Sequence, residues 1–94
     1  MIRYTVVWDA EVEAAFIRAW VRSDSRIRAI LSEIANWVDE NLAQDADRKG
    51  QPAEESTRVL AVPVSETDAN VSVAFRVATD DRQVRIIRMV FRSA

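Results

Sequence analysis

Arginine is the residue type in this chain best suited to binding chemistry. Twelve of the thirteen basic side chains are arginine, and Lys49 is the single lysine. A planar guanidinium binds a phosphate or a carboxylate through two parallel hydrogen bonds, which a lysine ammonium does not match. Four arginines lie on stretches that have strand-like patterns: Arg58, Arg76, Arg88 and Arg92. We therefore take these four as candidate target-binding or partner-binding residues, gathered on one face or one end of a sheet.

Arg76 stands out among them because of its neighbours. Its strand alternates large apolar residues with small ones, and Arg76 shares the small-residue side with Ser72, Ala74 and Ala78. An arginine that projects from such a shallow face is accessible to a phosphate or a partner carboxylate. The alternative interpretation is that these arginines lie at the rim of the sheet and pair with nearby acids, namely Glu66, Asp68 or Asp80.

Several kinds of catalytic and cofactor site are excluded by composition. The chain has no Cys and no His, which removes disulfides, Cys/His zinc sites and any Cys- or His-based triad. Gly50 is the only glycine, so the glycine-rich phosphate loops are absent. The adjacent acid pairs lack EF-hand spacing and lie at predicted helix ends or turns: Asp39-Glu40, Glu54-Glu55 and Asp80-Asp81. The sequence therefore predicts no metal site and no cofactor.

Charge is distributed unevenly along the chain. The formal net charge is −2, yet residues 39–55 carry −4 and residues 82–94 carry +4. The overall acidity argues against a general nucleic-acid binder that works through backbone electrostatics. No apolar run is long enough to cross a bilayer, and we expect a cytoplasmic protein without membrane association.

The first half of the chain predicts a strand followed by two helices. Ile2–Trp8 is rich in β-branched and aromatic residues, and Asp9 then occupies a helix N-cap position. Ser23-Asp24-Ser25 ends the first helix and begins a second over residues 25–43. Apolar residues recur at helical spacing in both segments, so we expect an amphipathic helical hairpin. Three tryptophans in these elements are predicted to pack in the core: Trp8, Trp20 and Trp37.

The second half predicts strands. Residues 44–56 are polar and charged, which is typical of a long connector. Three strand-like stretches follow, separated by turn segments at 65–70 and at Asp80-Asp81: Thr57–Val64, Val71–Ala78 and Val84–Phe91. Pro63 places the first of them at a sheet edge or a strand end. The prediction is a single α+β domain over residues 1–94, with two layers in the order β-α-α-β-β-β and the helical hairpin packed on an antiparallel sheet.

Three stretches of the chain resemble a known family. They are Tyr4–Ala10, Gly50 followed by Arg58-Val-Leu60, and Val73–Val77 followed by Asp80-Asp81 and Val84–Arg92. Together they resemble the RelE/ParE toxin superfamily of bacterial type II toxin–antitoxin systems, which includes plasmid-stabilisation proteins. The third stretch is the most specific, because it resembles the family's strand, acidic turn, Val-x-Ile strand and basic end. The resemblance implies the same α+β fold that the pattern predicts.

Two activities follow from this resemblance. RelE-like members cut mRNA on the ribosome with arginine and lysine side chains, whereas ParE-like members inhibit DNA gyrase. Members of both groups are neutralised by an antitoxin protein that wraps across the helices and the sheet. The exposed sheet edge at Thr57–Val64 is a place where an antitoxin strand would add.

The chain departs from the RelE-like pattern at several positions. Ser72 stands where those nucleases carry an arginine, and only Ser93 and Ala94 follow Arg92, without a catalytic Tyr or His. We therefore expect a ParE-like, gyrase-type toxin that acts by binding, and these departures disfavour a RelE-type nuclease. Two alternatives stay open: a ribosome-dependent endoribonuclease of reduced active site that uses Arg76 and Arg92, and a degenerate non-toxic module that binds a partner or forms a homodimer.

Overall fold

Two helices lie on one face of a five-stranded sheet in the computed structural model, which describes residues 2–64 and 70–92. The elements in chain order are β1 (Thr5–Trp8), α1 (Ala10–Arg22), α2 (Ser25–Leu42), β2 (Gln51–Pro52), β3 (Thr57–Val62), β4 (Asn70–Ala78) and β5 (Gln83–Arg92). A short 3-10 helix at Ala46–Arg48 precedes β2. The predicted α+β class and two-layer arrangement are confirmed.

The sheet is mixed, and this corrects the antiparallel prediction. Its strand order is β1-β5-β4-β3-β2, and β3, β4 and β5 form the expected antiparallel meander. β1 pairs in parallel with β5, from Thr5 opposite Gln83 to Trp8 opposite Ile86. A parallel neighbour requires a long crossover connection, and the two helices with the first part of the meander provide it.

The two helices begin differently. The carboxylate of Asp24 accepts a hydrogen bond from the Ile27 N–H at 3.0 Å and so caps α2. Asp9 occupies the corresponding position before α1, but its side chain makes no capping bond. Instead, an oxygen of Asp9 lies 3.6 Å from a guanidinium nitrogen of Arg85 on β5. Asp9 therefore ties the start of α1 to the sheet.

The core lies between α2 and the sheet. The largest fully buried side chains come from α2 and from the two central strands: Val38, Leu42, Val73, Phe75, Val84 and Ile86. Within Ala10–Arg22, all of which the structure describes, no residue is buried. Trp8 and Trp37 pack against the core, as predicted. Trp20 instead lies half-buried near the end of α1, with the guanidinium of Arg28 5.8 Å from its ring centroid.

The predicted connector is more ordered than its composition suggests. Gly50 has a φ of +70°, and a Cβ at this position would lie 2.3 Å from the carbonyl oxygen of Val59. This close approach brings Gln51 and Pro52 alongside Val59 and Arg58 as β2. The sequence did not predict this strand. β2 lies at the edge of the sheet and both its residues are exposed, so they show no alternation of buried and exposed positions.

The predicted edge at Thr57–Val64 is therefore only partly open. β2 covers it at Arg58 and Val59, and the N–H of Ala53 also donates to the carbonyl of Thr57 at 2.8 Å. Along β3, every second residue directs its backbone N–H and C=O toward the side where β2 lies. Past the part of β3 that β2 covers, Ala61 is the residue whose N–H and C=O face this open side. The strand also ends at Val62, ahead of Pro63.

A turn was predicted at residues 65–70. Residues 65–69 lie outside the described part of the chain, and Asn70 is the first residue of β4. Among the residues that the structure describes, no helix is both long and apolar enough to span a membrane.

Candidate functional site

The arginines meet on the side of the sheet that the helices leave open. Residues directly opposite in an antiparallel pair project to the same side. Arg76 on β4 lies opposite Arg85 on β5, Ala74 lies opposite Arg88, and Asn70 lies opposite Arg92. All four arginines are exposed. We call this surface the arginine face, made of Arg76, Arg85, Arg88 and Arg92.

A bulge in β5 creates this arrangement. Phe75 pairs with Ile86 and Ala74 pairs with Arg88, so Ile87 is an extra residue without its own partner on β4. In a regular strand, residues three apart point to opposite sides. Because of the bulge, Arg85 and Arg88 both reach the open side. Sequence reasoning included Arg88 and missed Arg85, since a strict alternation of two assigns them to different faces.

Arg58 lies on the other side of the sheet. Its partner on β4 is Phe75, which faces the core. The Nε of Arg58 donates to the carbonyl of Lys49 at 2.6 Å, and an Nη donates to the carbonyl of Gly50 at 3.2 Å. The structure thus separates Arg58 from Arg76, Arg88 and Arg92. Arg58 instead binds the connector through the carbonyls of Lys49 and Gly50.

Most of the arginine face lacks ion pairs. In the described ranges 2–64 and 70–92, the Arg85–Asp9 contact is the one pair within 4.0 Å. Asp80 is described and makes no such contact with an arginine, whereas Glu66 and Asp68 lie outside the described residues. Guanidiniums that form no ion pair keep their capacity to bind an anionic ligand.

A shallow cleft of about 440 Å³ crosses the arginine face. Its floor is formed by Val59, Ala74 and Ile87, and its walls are formed by Ala53, Glu54, Glu55, Thr57, Arg76 and Arg88. Glu54 and Glu55 belong to the turn between β2 and β3, and Glu55 has a φ of +53°. Sequence reasoning treated the two glutamates as an ordinary turn pair, and only the position of β2 shows that they border a site.

The cleft holds two kinds of group that act on a phosphate. Guanidiniums bind its oxygens, and a carboxylate next to them can accept a proton from an attacking hydroxyl. Arg92 lies outside this cleft, because it follows Arg88 by four residues, roughly 13 Å along a strand. The structure therefore brings Arg76 together with Arg88, and it does not bring the predicted pair Arg76 and Arg92 into one cleft.

An apolar groove of about 340 Å³ lies between α1 and β5. The helix lines it with Glu11, Val12, Ala15, Phe16 and Ala19, and the strand lines it with Ile87, Met89 and Phe91. Phe91 is 47% exposed although it is a large aromatic residue. Ile87 and Arg88 line both the groove and the cleft, so the two sites are adjacent.

Metal ligands do not gather in the part of the chain that the structure describes. No group of three or more acidic side chains within residues 2–64 and 70–92 is placed to hold an ion. The candidate site is thus one of guanidiniums, two carboxylates and an apolar groove.

The architecture matches two solved toxin structures over most of the chain. A chain of the toxin–antitoxin complex RelBE2 from Mycobacterium tuberculosis superimposes with a TM-score of 0.66 at 18% identity, and the match covers 100% of this chain and 97% of that one. The fold of this chain is that of the RelE toxins. A mutant of the E. coli toxin RelE in the free state superimposes with a TM-score of 0.59 at 9% identity, over 93% of this chain and 81% of that one.

Comparison with known sequences does not detect this likeness, although three stretches of the chain resemble the RelE/ParE family. No protein-family model and no curated protein matches the chain. The expected RelE/ParE-like architecture is confirmed. At 18% identity or less, these matches establish the fold and not the activity.

Proposed function

We propose that this chain is the toxin of a bacterial type II toxin–antitoxin module, and that it acts by binding a macromolecular target through the arginine face. One observation carries this proposal: the RelE fold presents Arg76, Arg85, Arg88 and Arg92 on its open side. Among the described residues, Asp9 provides the one carboxylate within 4.0 Å of these guanidiniums.

The arginine face is built for contact with a large anionic surface. Arg76 and Arg88 flank small and apolar floor residues, so a flat partner can approach the sheet closely. Arg76 also lies directly opposite Arg85, and like charges in that position destabilise a sheet. A bound anion relieves this repulsion. The proposed ligand is therefore a phosphate-bearing or carboxylate-bearing surface of the target.

We place the proposed target in the gyrase class, as for ParE-like toxins. Phosphodiester cleavage at neutral pH is helped by a group that titrates near pH 7, and the chain has no histidine. The single lysine does not supply the missing cation, because Lys49 Nζ donates to the carbonyl of Asn41 near the end of α2. Binding without chemistry requires neither group.

The proposed antitoxin occupies the apolar groove between α1 and β5. The groove is lined mainly by aliphatic and aromatic carbon, which favours the apolar side of an amphipathic segment. Strand addition along Thr57–Val64 is less favoured, because β2 already pairs with Arg58 and Val59. A segment in the groove contacts Arg88, and it thereby covers the middle of the arginine face.

A second candidate function is endoribonuclease activity, which the cleft favours for a specific reason. Glu54 and Glu55 border the same 440 Å³ cleft as Arg76 and Arg88. In this hypothesis a glutamate accepts the proton of a ribose 2′-hydroxyl while the arginines bind the phosphate. Charge-neutral substitution of both glutamates then abolishes RNA cleavage, whereas the binding mechanism does not depend on them.

The first experiment is inducible expression in bacteria. The variants are the wild type, Arg76→Ala/Arg88→Ala, and Arg26→Ala as a control for an exposed arginine on α2. We expect growth arrest from the wild type and from the control, and no arrest from the double variant. Equal arrest by all three chains contradicts a role for the arginine face, and no arrest from soluble wild type favours the non-toxic module.

The second experiment separates the two mechanisms. Purified chain is added to a DNA gyrase supercoiling reaction and, separately, to translating ribosomes with mRNA. Inhibition of supercoiling that Glu54→Gln/Glu55→Gln leaves intact supports the binding proposal. Ribosome-dependent mRNA cleavage that the same variant abolishes supports the nuclease instead.

A further inference from the structure

A second apolar stripe runs along the outer side of α1. It consists of four residues that are all exposed: Ala10, Ala14, Ile17 and Val21. Ile17 is 52% exposed and Val21 is 65% exposed, which is high for large aliphatic side chains. The apolar groove-lining residues of α1 lie on the opposite side of the helix, and Glu11 lines the groove from the flank, so antitoxin binding in the groove leaves the four stripe residues uncovered.

The spacing of the stripe matches a helix-packing seam. Its residues are separated by four, three and four positions, which is the alternation of a coiled-coil seam with an average period near 3.5. α1 has 13 residues and is roughly 20 Å long, so the stripe extends along its full length. A single helix of another chain matches this shape.

Side-chain volumes along the stripe favour an antiparallel copy of the same helix. The small residues Ala10 and Ala14 occupy its first half, and the larger Ile17 and Val21 occupy its second half. In a parallel pair, small residues face small ones and large face large, so the helices splay apart. In an antiparallel pair, Ala10 faces Val21 of the copy and Ala14 faces its Ile17, which keeps the helix separation uniform.

The charges beside the stripe are also self-complementary. Glu11 and Arg18 lie seven residues apart on one flank of the seam, and both are exposed. Neither makes an ion pair within the described residues. In an antiparallel pair, the same flank of each helix meets, which brings Glu11 of one copy beside Arg18 of the other, twice by symmetry. The antiparallel helix dipoles add to this preference.

We propose that this chain self-associates through an antiparallel contact between the outer stripes of α1 in two copies. Two short helices bury less surface than a standard protein–protein interface, so the dimer is weak and depends on concentration. The proposal does not rest on the toxin function, because the four stripe residues line neither the cleft on the arginine face nor the groove.

Sedimentation equilibrium of the full chain, from about 10 µM to about 1 mM, tests the proposal. We expect a monomer–dimer equilibrium in the wild type. Ile17→Asp/Val21→Asp removes it, and circular dichroism confirms that the helices remain, since both side chains are exposed. Arg26→Glu on α2 serves as the control, because it changes the net charge by the same amount. We expect it to leave the dimer unchanged.

Charge reversal tests the ion pairs directly. Arg18→Glu places like charges opposite each other and is expected to weaken the dimer at least threefold, and Glu11→Arg is expected to do the same. The double variant Glu11→Arg/Arg18→Glu restores the wild-type dimer. Dimerisation that is unaffected by both single changes contradicts the proposal.

The orientation is tested with introduced thiols, because the chain has no cysteine. Ala14→Cys and Ile17→Cys variants are mixed and oxidised. An antiparallel contact yields mainly the mixed disulfide, whereas a parallel contact yields the two homodisulfides and overturns the arrangement. A chain that stays monomeric at the highest concentration overturns self-association itself, whatever the outcome of the growth assay.

Discussion

Arg76 on β4 and Arg85 on β5 lie directly opposite each other on the open side of the sheet. Arg85 has a carboxylate within 3.6 Å, that of Asp9, and Arg76 has none among the described residues. The sheet therefore holds two like charges at a position where a neutral residue would be more stable. Such a local cost is typical of a surface that is kept for binding.

Replacement of Arg76 is expected to raise stability and reduce function together. Arg76→Gln removes the repulsion with Arg85 and should raise the free energy of unfolding by about 0.5 kcal/mol. The same variant should arrest growth less than the wild type does. Urea unfolding measures the first effect, with Arg26→Gln as a neutral control. A lower stability for Arg76→Gln contradicts the interpretation.

Arg58 is expected to contribute to stability. Arg58→Ala leaves the carbonyls of Lys49 and Gly50 without their donors and should lower the free energy of unfolding by about 1–3 kcal/mol. Arg58→Lys should restore only part of it, because an ammonium cannot donate in the same fork. Arg88→Ala on the exposed arginine face is the matched control, with a change within about 0.5 kcal/mol. Equal effects at positions 58 and 88 would refute the division of roles.

Gly50→Ala is expected to disrupt β2. The added Cβ lies 2.3 Å from the carbonyl oxygen of Val59, and the φ of +70° disfavours any side chain. We expect a loss of about 1–3 kcal/mol of stability. Amide hydrogen exchange of Gln51, Ala53, Thr57 and Val59 should become faster, while that of β4 and β5 stays slow. Gln51→Ala, an exposed neighbour, should leave the exchange unchanged.

Asp45 makes the stability of the chain depend on pH in acid. Its carboxylate accepts the N–H of Ile2 at 2.8 Å, and this hydrogen bond holds the pKa of Asp45 below its ordinary value. A group whose pKa is lower in the folded state stabilises the fold above its unfolded pKa, near 4. That contribution disappears as the pH falls through the lower folded value.

The variant Asp45→Asn cannot change its charge, so its unfolding free energy should fall less steeply below about pH 4 than that of the wild type. Thermal unfolding from about pH 6 to about pH 2 measures the difference. Asp24→Asn, which replaces the α2 cap by another capping residue, is the control. Parallel stability curves for wild type and Asp45→Asn would exclude this contribution.

Local patterns were sufficient for most of the elements. Alternation and helical spacing predicted both helices, the first strand and the three-strand meander, because each reflects a burial pattern within a few neighbouring residues. β2 was missed since exposed polar residues carry no such pattern. The position of β1 was also beyond local reasoning, because its parallel pairing with β5 joins residues almost eighty positions apart.

The candidate site also depended partly on local sequence pattern and partly on tertiary structure. Composition and strand pattern were enough to select Arg76, Arg88 and Arg92, because charged residues on half-buried strands face outward. They could not show that Arg58 lies on the other side of the sheet, where it binds the connector, or that Arg85 belongs to the arginine face. The bulge at Ile87 shifts the alternation by one residue, and that shift arises from pairing with β4 rather than from any residue type in β5. Which arginines share a face is thus a property of strand register, and register is set by contacts between distant segments.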